Sequence, residues 1–208
     1  MELILGLVIL IYSAIVHEIA HGFVADRLGD PTARLMGRLT LNPKPHIDPM
    51  MSVLLPLLLL LSGSPIIFGA AKPVPVDPFN LREGRKDMAL VALSGPLTNV
   101  LLAIAAAILF KILDVIPILF PFEIGLVLRL IVQYNLLLAV FNLIPIPPLD
   151  GSKVFSMLLP EREAAAYVSI GSVGVFIIFF LLLFPIGPFQ LGDLLFRLIE
   201  FGMTALGF

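Results

Sequence analysis

The sequence predicts an all-α membrane protein, a polytopic helical bundle with a re-entrant segment and a small membrane-associated β element. Of its 208 residues, 59% are hydrophobic and only 13% are charged, and the mean hydropathy is +1.07. These values lie far above those of a water-soluble domain of this length. Because long apolar runs take up most of the chain, a single transmembrane domain over residues 1–208 is expected.

Four predominantly apolar runs are long enough to cross a bilayer of about 30 Å as helices rising about 1.5 Å per residue. The predicted spans lie at about 3–25, 88–111, 124–149 and 164–184. The first run lacks a basic flank and a small-residue cleavage site, so we interpret it as a retained span rather than a signal peptide. The tail at about 190–207 spaces Asp193, Arg197 and Glu200 by four and three residues, which predicts an amphipathic, interfacial or tilted helix.

Two stretches between the first and second spans are predicted not to cross the membrane. The apolar run at about 50–61 contains Pro56 and is short for a span, so we expect it to re-enter the membrane or to lie at its surface. The stretch at about 66–78, IIFGAAKPVPVDP, mixes β-branched residues with alternating prolines. This composition favours extended backbone and predicts the β element.

The absence of cysteine limits the chemistry that the chain can perform. Disulfides, cysteine-ligated zinc or iron–sulfur sites and a thiol nucleophile are all excluded. Any metal must therefore be bound by carboxylates and by the three histidines, His17, His21 and His46. The chain also lacks a basic, aromatic-interleaved patch, so no nucleic-acid partner is expected.

The stretch HEIAH, His17 to His21, places three ionisable side chains inside the first predicted span. Four residues apart on a helix, the two histidines share one face, where they can hold a zinc ion while Glu18 acts as general base on the metal-bound water. A five-residue pattern can arise by chance. Placing a titratable group inside a span, however, costs at least about 2.5 kcal/mol of membrane-insertion free energy, so the location favours a metal site.

A catalytic zinc site needs a third protein ligand and an open position for water. Asp150 follows an apolar run and a cluster of helix-breaking prolines, and such a break is tolerated where protein or water lines a site. Its alternative role is that of a helix-ending acid before Gly151. His46 is the second candidate, but it is better interpreted as a loop residue at the level of the lipid headgroups. The next interpretation of His46 is a gating or supporting role at the site. Asp150 is the predicted ligand.

Helix direction and charge predict the orientation of the site. His21 and Asp150 each lie near the downstream end of a span, so the two spans must run in the same direction, with one crossing between them at 88–111. The positive-inside rule then places the site toward the cytoplasm of a cell membrane. Ten of the thirteen basic residues fall on that side, namely Arg27, Arg34, Arg38, Lys44, Lys72, Arg82, Arg85, Lys86, Lys153 and Arg162.

Taken in order, HEIAHG, GRLTLNP, HIDP, FGAAKPVPV, SGPLTN and NLIPIPPLDG resemble the site-2 protease family of intramembrane zinc metalloproteases. The resemblance is to its compact prokaryotic branch without PDZ or CBS domains. It implies one Zn²⁺ per chain, bound by His17, His21 and Asp150, with Glu18 as catalytic base. It also suggests that Asn142 stabilises the oxyanion near the scissile carbonyl, the alternative being a helix-packing amide. Asn99 of SGPLTN is expected to bond across a helix interface.

These features predict an intramembrane zinc endopeptidase that cleaves membrane protein substrates, in or near their transmembrane segments, within the lipid bilayer. A helical substrate shields its carbonyls, so local unwinding and helix-weakening residues near the cut are expected. The extended edge of the β element could then pair with the unwound strand.

Three rival functions follow from the same residues. A membrane metal transporter also uses His and Asp, but it needs no glutamate between them. A non-catalytic membrane scaffold would be expected to have lost Glu18. A different membrane zincin with a glutamate as third ligand would need an acidic pair on a later span, and none is present.

Overall fold

The computed structural model describes residues 2–54, 58, 61, 71–115, 122–171 and 173–208. Over these ranges the chain is helical, with turns and loops between the helices and no strand. A short 3₁₀ turn, Lys44–His46, and a π-helical stretch, Pro49–Leu54, lie between the second and third helices. The helices are α1 (Glu2–Leu28), α2 (Thr32–Leu35), α3 (Arg85–Asp114), α4 (Phe122–Asn142), α5 (Asp150–Met157), α6 (Glu161–Val168), α7 (Val173–Leu183) and α8 (Leu191–Leu206).

Three described helices are long and apolar enough to cross a membrane, over Ile4–Leu28, Arg85–Asp114 and Glu123–Asn142. The pair formed by α6 and α7 counts as a fourth span if the two are taken as one broken helix. The run predicted as a single span at 164–184 is therefore divided, because α6 ends at Val168 and α7 begins at Val173.

The span predicted at 124–149 ends earlier than expected, since α4 stops at Asn142. Pro145 has no N–H to donate, and in a continued helix its ring would clash with the carbonyl of Phe141. The chain turns through residues 143–149, and Asp150 begins a new helix, α5. The aspartate thus stands at a helix start.

Helix α3 occupies the centre of the bundle and packs against α1, α4 and α5. Its buried face is rich in small residues, including Ala92, Gly95 and Ala103, which allow neighbouring helices to approach closely. The predicted amphipathic tail forms α8, which packs against α4 and buries Met203 beside Leu136. The polar residues of α8 remain exposed.

A buried carboxylate holds the loop before α3 against the end of α1. Asp30 accepts hydrogen bonds from the Asp77 N–H at 2.7 Å, the Asn80 amide at 3.1 Å and the Thr32 N–H at 3.1 Å. Burial alone would raise the pKa of Asp30, but these bonds and the Thr32 hydroxyl outweigh it and hold that pKa below its ordinary value. The bond to Asp77 fixes the end of the segment 71–77.

Residues 71–77 form neither helix nor strand in the described part of the chain, and the prolines at 73 and 75 favour extended backbone. Their backbone is bonded instead by Arg38, which donates to the carbonyls of Lys72 at 2.8 Å and Pro73 at 3.1 Å. Because Pro73 and Pro75 carry no N–H, the segment is poorly suited to a ladder. The predicted β element is therefore an extended connector over 71–77. Pro78, the last residue of that prediction, lies in a turn. Residues 66–70 of the predicted β element, and residues 55–57 and 59–60 of the predicted re-entrant segment, lie outside the described residues.

Candidate metal centre

Two histidines of α1 and one aspartate of α5 meet inside the bundle. The Nε2 atoms of His17 and His21 are 3.0 Å apart. Each lies 3.1 Å from Oδ2 of Asp150, and all three side chains are buried. The structure therefore brings together the three residues that the sequence predicted as ligands.

The local backbone geometry orients each of these side chains toward the other two. One helical turn separates His17 from His21, so both project from the same face of α1. Asp150 lies in the first turn of α5, directly after the proline-rich turn that ends α4. Its other oxygen, Oδ1, accepts a hydrogen bond from Nζ of Lys153 at 3.2 Å. Oδ2 is thereby left to face the histidines.

The outer nitrogen of each imidazole is bonded to a carbonyl oxygen. Nδ1 of His21 lies 2.7 Å from the Val91 carbonyl, which only accepts, so Nδ1 carries the proton. Nδ1 of His17 lies 2.5 Å from Oδ1 of Asn99. In neutral rings protonated at Nδ1, both Nε2 atoms present lone pairs toward Oδ2 of Asp150. Three lone-pair atoms at this separation repel one another unless a cation lies between them.

The spacing of the three atoms fits a zinc ion. Ligand bonds of about 2.0–2.1 Å at tetrahedral angles place ligand atoms about 3.3 Å apart. The separations of 3.0 and 3.1 Å are close to this value. Two histidines and one carboxylate also match the ligand types of catalytic zinc sites, which leave the fourth position open.

Helix α3 passes over the imidazoles at a glycine. A Cβ atom on Gly95 would lie 2.6 Å from Cε1 and Nε2 of His17 and 2.6 Å from Cε1 of His21. The small residue in SGPLTN thus allows α3 to approach the two predicted ligands.

Glu18 follows His17 in α1, is partly buried and is bonded to the extended segment. Its Oε2 accepts a hydrogen bond from the Val74 N–H at 2.7 Å. The segment that the sequence placed near the site is therefore in direct contact with the residue predicted to be the base.

Two other predicted residues are held by different partners. Nε2 of His46 donates to the Thr40 carbonyl at 3.0 Å, and the histidine does not join the ligand group in the described part of the chain. Its backbone carbonyl accepts from the N–H of Lys72, so His46 supports the extended segment. The amide of Asn142 donates to the Leu138 carbonyl at 3.0 Å, and its role at the oxyanion stays a prediction.

The expected bond of Asn99 across a helix interface is present, but sequence reasoning missed its partners Asn135 and Ser13, which form a polar chain behind His17. Nδ2 of Asn99 donates to Oδ1 of Asn135 at 2.8 Å, and Nδ2 of Asn135 donates to the Ser13 hydroxyl at 2.9 Å. All of these side chains are buried. An asparagine inside a predicted span is an available signal, because such polar groups are costly in a membrane unless they are partnered.

Comparison with known proteins agrees with this site. The sequence profile of Peptidase family M50 matches residues 122–185. YwhC of Bacillus subtilis strain 168 is 36% identical over 190 residues, which cover 89% of this chain and 83% of YwhC. The chain belongs to peptidase family M50.

A second M50 relative is Rip2 of Mycobacterium tuberculosis strain H37Rv, which is 33% identical over 180 residues. The match covers 85% of this chain and 64% of Rip2. Both relatives carry the name "Putative zinc metalloprotease". No solved structure matches the chain significantly.

Membership of M50 confirms the predicted site-2 protease family, zinc metalloprotease activity and zinc cofactor. The apolar helices agree with a membrane protein. The family also favours the protease over the metal transporter and the scaffold.

Proposed function

We propose that this M50 protease cleaves membrane protein substrates in or near their transmembrane segments, with the catalytic zinc held by His17, His21 and Asp150. The observation that carries the proposal is the convergence of three lone-pair atoms at 3.0 to 3.1 Å. The described residues offer no second group of this kind. Both histidines lie within the span Ile4–Leu28, which supports an intramembrane site.

When bound at this site, zinc lowers the pKa of a coordinated water and polarises the substrate carbonyl. Glu18 is the proposed general base, accepting a proton from water and returning it to the leaving amine. The Val74 N–H holds one oxygen of Glu18, Oε2, and so leaves Oε1 to exchange the proton. Lys153 holds Oδ1 of Asp150 and so orients its other oxygen.

The extended segment 71–77 is the proposed contact surface for an unwound substrate. Support comes from its contact with Glu18, since the Val74 N–H donates to Oε2 of that residue. A substrate helix must open locally before its carbonyls can react. Helix-weakening residues near the cut are therefore expected, and uninterrupted leucine–alanine helices should be cut more slowly.

The proposed function is tested with purified wild type and Glu18→Gln, each assayed for bound zinc and for cleavage of single-span membrane peptides. We expect both proteins to bind zinc, while cleavage by the variant falls at least on the order of 10²-fold because the proton acceptor is lost. The matched control is Glu123→Gln, the same change at an exposed position at the start of α4, which should cut like the wild type.

Normal cleavage by Glu18→Gln would remove Glu18 from the role of base. Full zinc binding by His17→Ala would contradict the proposed ligand set.

A further inference from the structure

We propose that Asn99 is a positioning residue that sets the tautomer of His17, and that the direction of its amide is set in turn by Asn135. This inference rests on the ligand set proposed above and concerns how that set is prepared to bind a cation. It gives a role to two buried polar side chains, Asn99 and Asn135, which are 0% and 1% exposed.

The direction of the hydrogen bonds begins at a backbone carbonyl of α4. Nδ2 of Asn135 lies 2.8 Å from the carbonyl oxygen of Ile131, one turn earlier in the helix. A carbonyl can only accept, so the amide nitrogen of Asn135 must face it. The Ser13 hydroxyl, 2.9 Å from the same nitrogen, both donates and accepts and therefore imposes no direction. Oδ1 of Asn135 is consequently turned toward α3.

The same reasoning passes from Asn135 to His17. Only a donor can meet Oδ1 of Asn135, so Asn99 presents its nitrogen there, at 2.8 Å. The oxygen of Asn99 must then face Nδ1 of His17, at 2.5 Å. Nδ1 therefore carries the proton, and Nε2 is left with the lone pair that a metal ion requires.

Burial prevents an alternative arrangement. If Asn99 flipped, its oxygen would meet the oxygens of Asn135 and of the Ser13 backbone carbonyl, where its nitrogen now donates. Because Asn99 and Asn135 are almost completely shielded from solvent, water is poorly placed to relieve these contacts. The two amides thus lock His17 in its metal-binding tautomer.

The other ligand shows why Asn99 is the informative residue. Nδ1 of His21 is held by the Val91 backbone carbonyl, which no side-chain substitution removes. Nδ1 of His17 is held by a side chain and can be released by a single change at Asn99.

Histidine tautomers provide a test that needs no variant, because the chain has only three histidines. In the metal-free wild type at alkaline pH, ¹⁵N NMR of assigned imidazoles should show His17 and His21 protonated at Nδ1. His46 should be protonated at Nε2, which donates to the Thr40 carbonyl. Protonation of His17 at Nε2 would overturn the proposal.

Variants test the consequence for metal binding, with Co²⁺ as the probe and affinity measured by chelator competition in detergent. Asn99→Leu should weaken Co²⁺ binding by about 10- to 100-fold, the usual effect of removing the partner of a metal-bound histidine, and should alter the d–d spectrum. Asn99→Asp keeps an acceptor for Nδ1 but sets an oxygen against Oδ1 of Asn135, so it should recover only part of the affinity that Asn99→Leu loses. Asn135→Leu should give a smaller loss, because Nδ2 of Asn99 then keeps only its longer contact with the Ser13 backbone carbonyl, at 3.5 Å.

The matched control is Leu136→Ala, a truncation of a buried residue on α4 that lies in a hydrophobic cluster with Met203. It should lower thermal stability without changing Co²⁺ affinity. Wild-type affinity in a folded Asn99→Leu protein, or an equal loss in Leu136→Ala, would overturn the positioning role. Full Co²⁺ affinity in His17→Ala would instead overturn the ligand set, so the two failures are distinguishable.

Discussion

At the scale of single residues, the space available to the two imidazoles depends on the absence of a Cβ atom at Gly95. The backbone of α3 can lie over His17 and His21 because Gly95 has no side chain there. The same position is buried within a helix, where glycine normally lowers helix stability by about 1 kcal/mol relative to alanine. Close approach to the ligands explains its presence in this helix.

Gly95→Ala is therefore expected to damage the site while leaving the fold intact. The new Cβ would lie 2.6 Å from ring atoms of both histidines, so at least one ring must move. A ligand shift of this kind can cost on the order of 10²-fold in activity. Zinc affinity should fall together with activity. The temperature of thermal unfolding should change little by comparison.

The control for this change is Gly192→Ala in α8. Among the described residues, a Cβ there would meet only the Leu182 carbonyl oxygen, at 3.9 Å, which is an ordinary contact. This variant should keep wild-type zinc affinity and cleavage. Unchanged zinc binding by Gly95→Ala would show that the ligands do not depend on the close approach of α3.

At the scale of elements, the extended segment 71–77 joins the site to the surrounding loops. One end is bonded by Arg38 and His46, and the other by Asp30. Between these attachments, the Val74 N–H reaches Glu18. The segment is thus a fixed support for the proposed base.

Val74→Pro tests this support because proline removes the N–H while it favours extended backbone. We expect zinc to remain bound and cleavage to fall on the order of tenfold, since Glu18 loses the partner that orients it. Val74→Ala is the paired control, because it trims the buried side chain and keeps the N–H. Equal cleavage by the two variants would show that this hydrogen bond has no part in catalysis.

At the scale of the whole molecule, the basic residues collect at the end of the bundle toward which Asp150 lies. The N–H of Arg82 donates to the Leu28 carbonyl, which brings the end of α1 to the start of α3. Arg85 donates to the carbonyls of Ser156 at 2.9 Å and Leu159 at 2.7 Å, which joins α3 to the end of α5. By the positive-inside rule, this end of the bundle is the proposed cytoplasmic side.

Single cysteines test this orientation directly, because the chain contains none. Phe79 is 95% exposed at the basic end, and Val115 is 80% exposed just after α3. With a membrane-impermeant maleimide, Phe79→Cys should react only in inside-out vesicles of the cell membrane, and Val115→Cys only in right-side-out ones. Both should react in detergent. The reverse pattern in vesicles would place the site on the opposite side.

The sequence alone determined the features that depend on short spacings. HEIAH puts two imidazoles on one helix face within a single turn, and apolar composition determines that the chain lies in a membrane. The prolines before Asp150 marked a break in the helix, although the end of α4 came several residues earlier than predicted. A turn can begin anywhere in a proline-rich run, so composition alone does not locate it.

Only the tertiary structure decided which distant groups complete the site. The hydrogen bond of Asn135 to Ser13 joins residues 122 positions apart, and that of Val74 to Glu18 joins residues 56 apart. Their partners depend on how α1, α3 and α4 pack and on where the loops fold back, and no local periodicity records this. The sequence determined which side chains could bind a metal ion, and the packing of the helices decided which atoms face it.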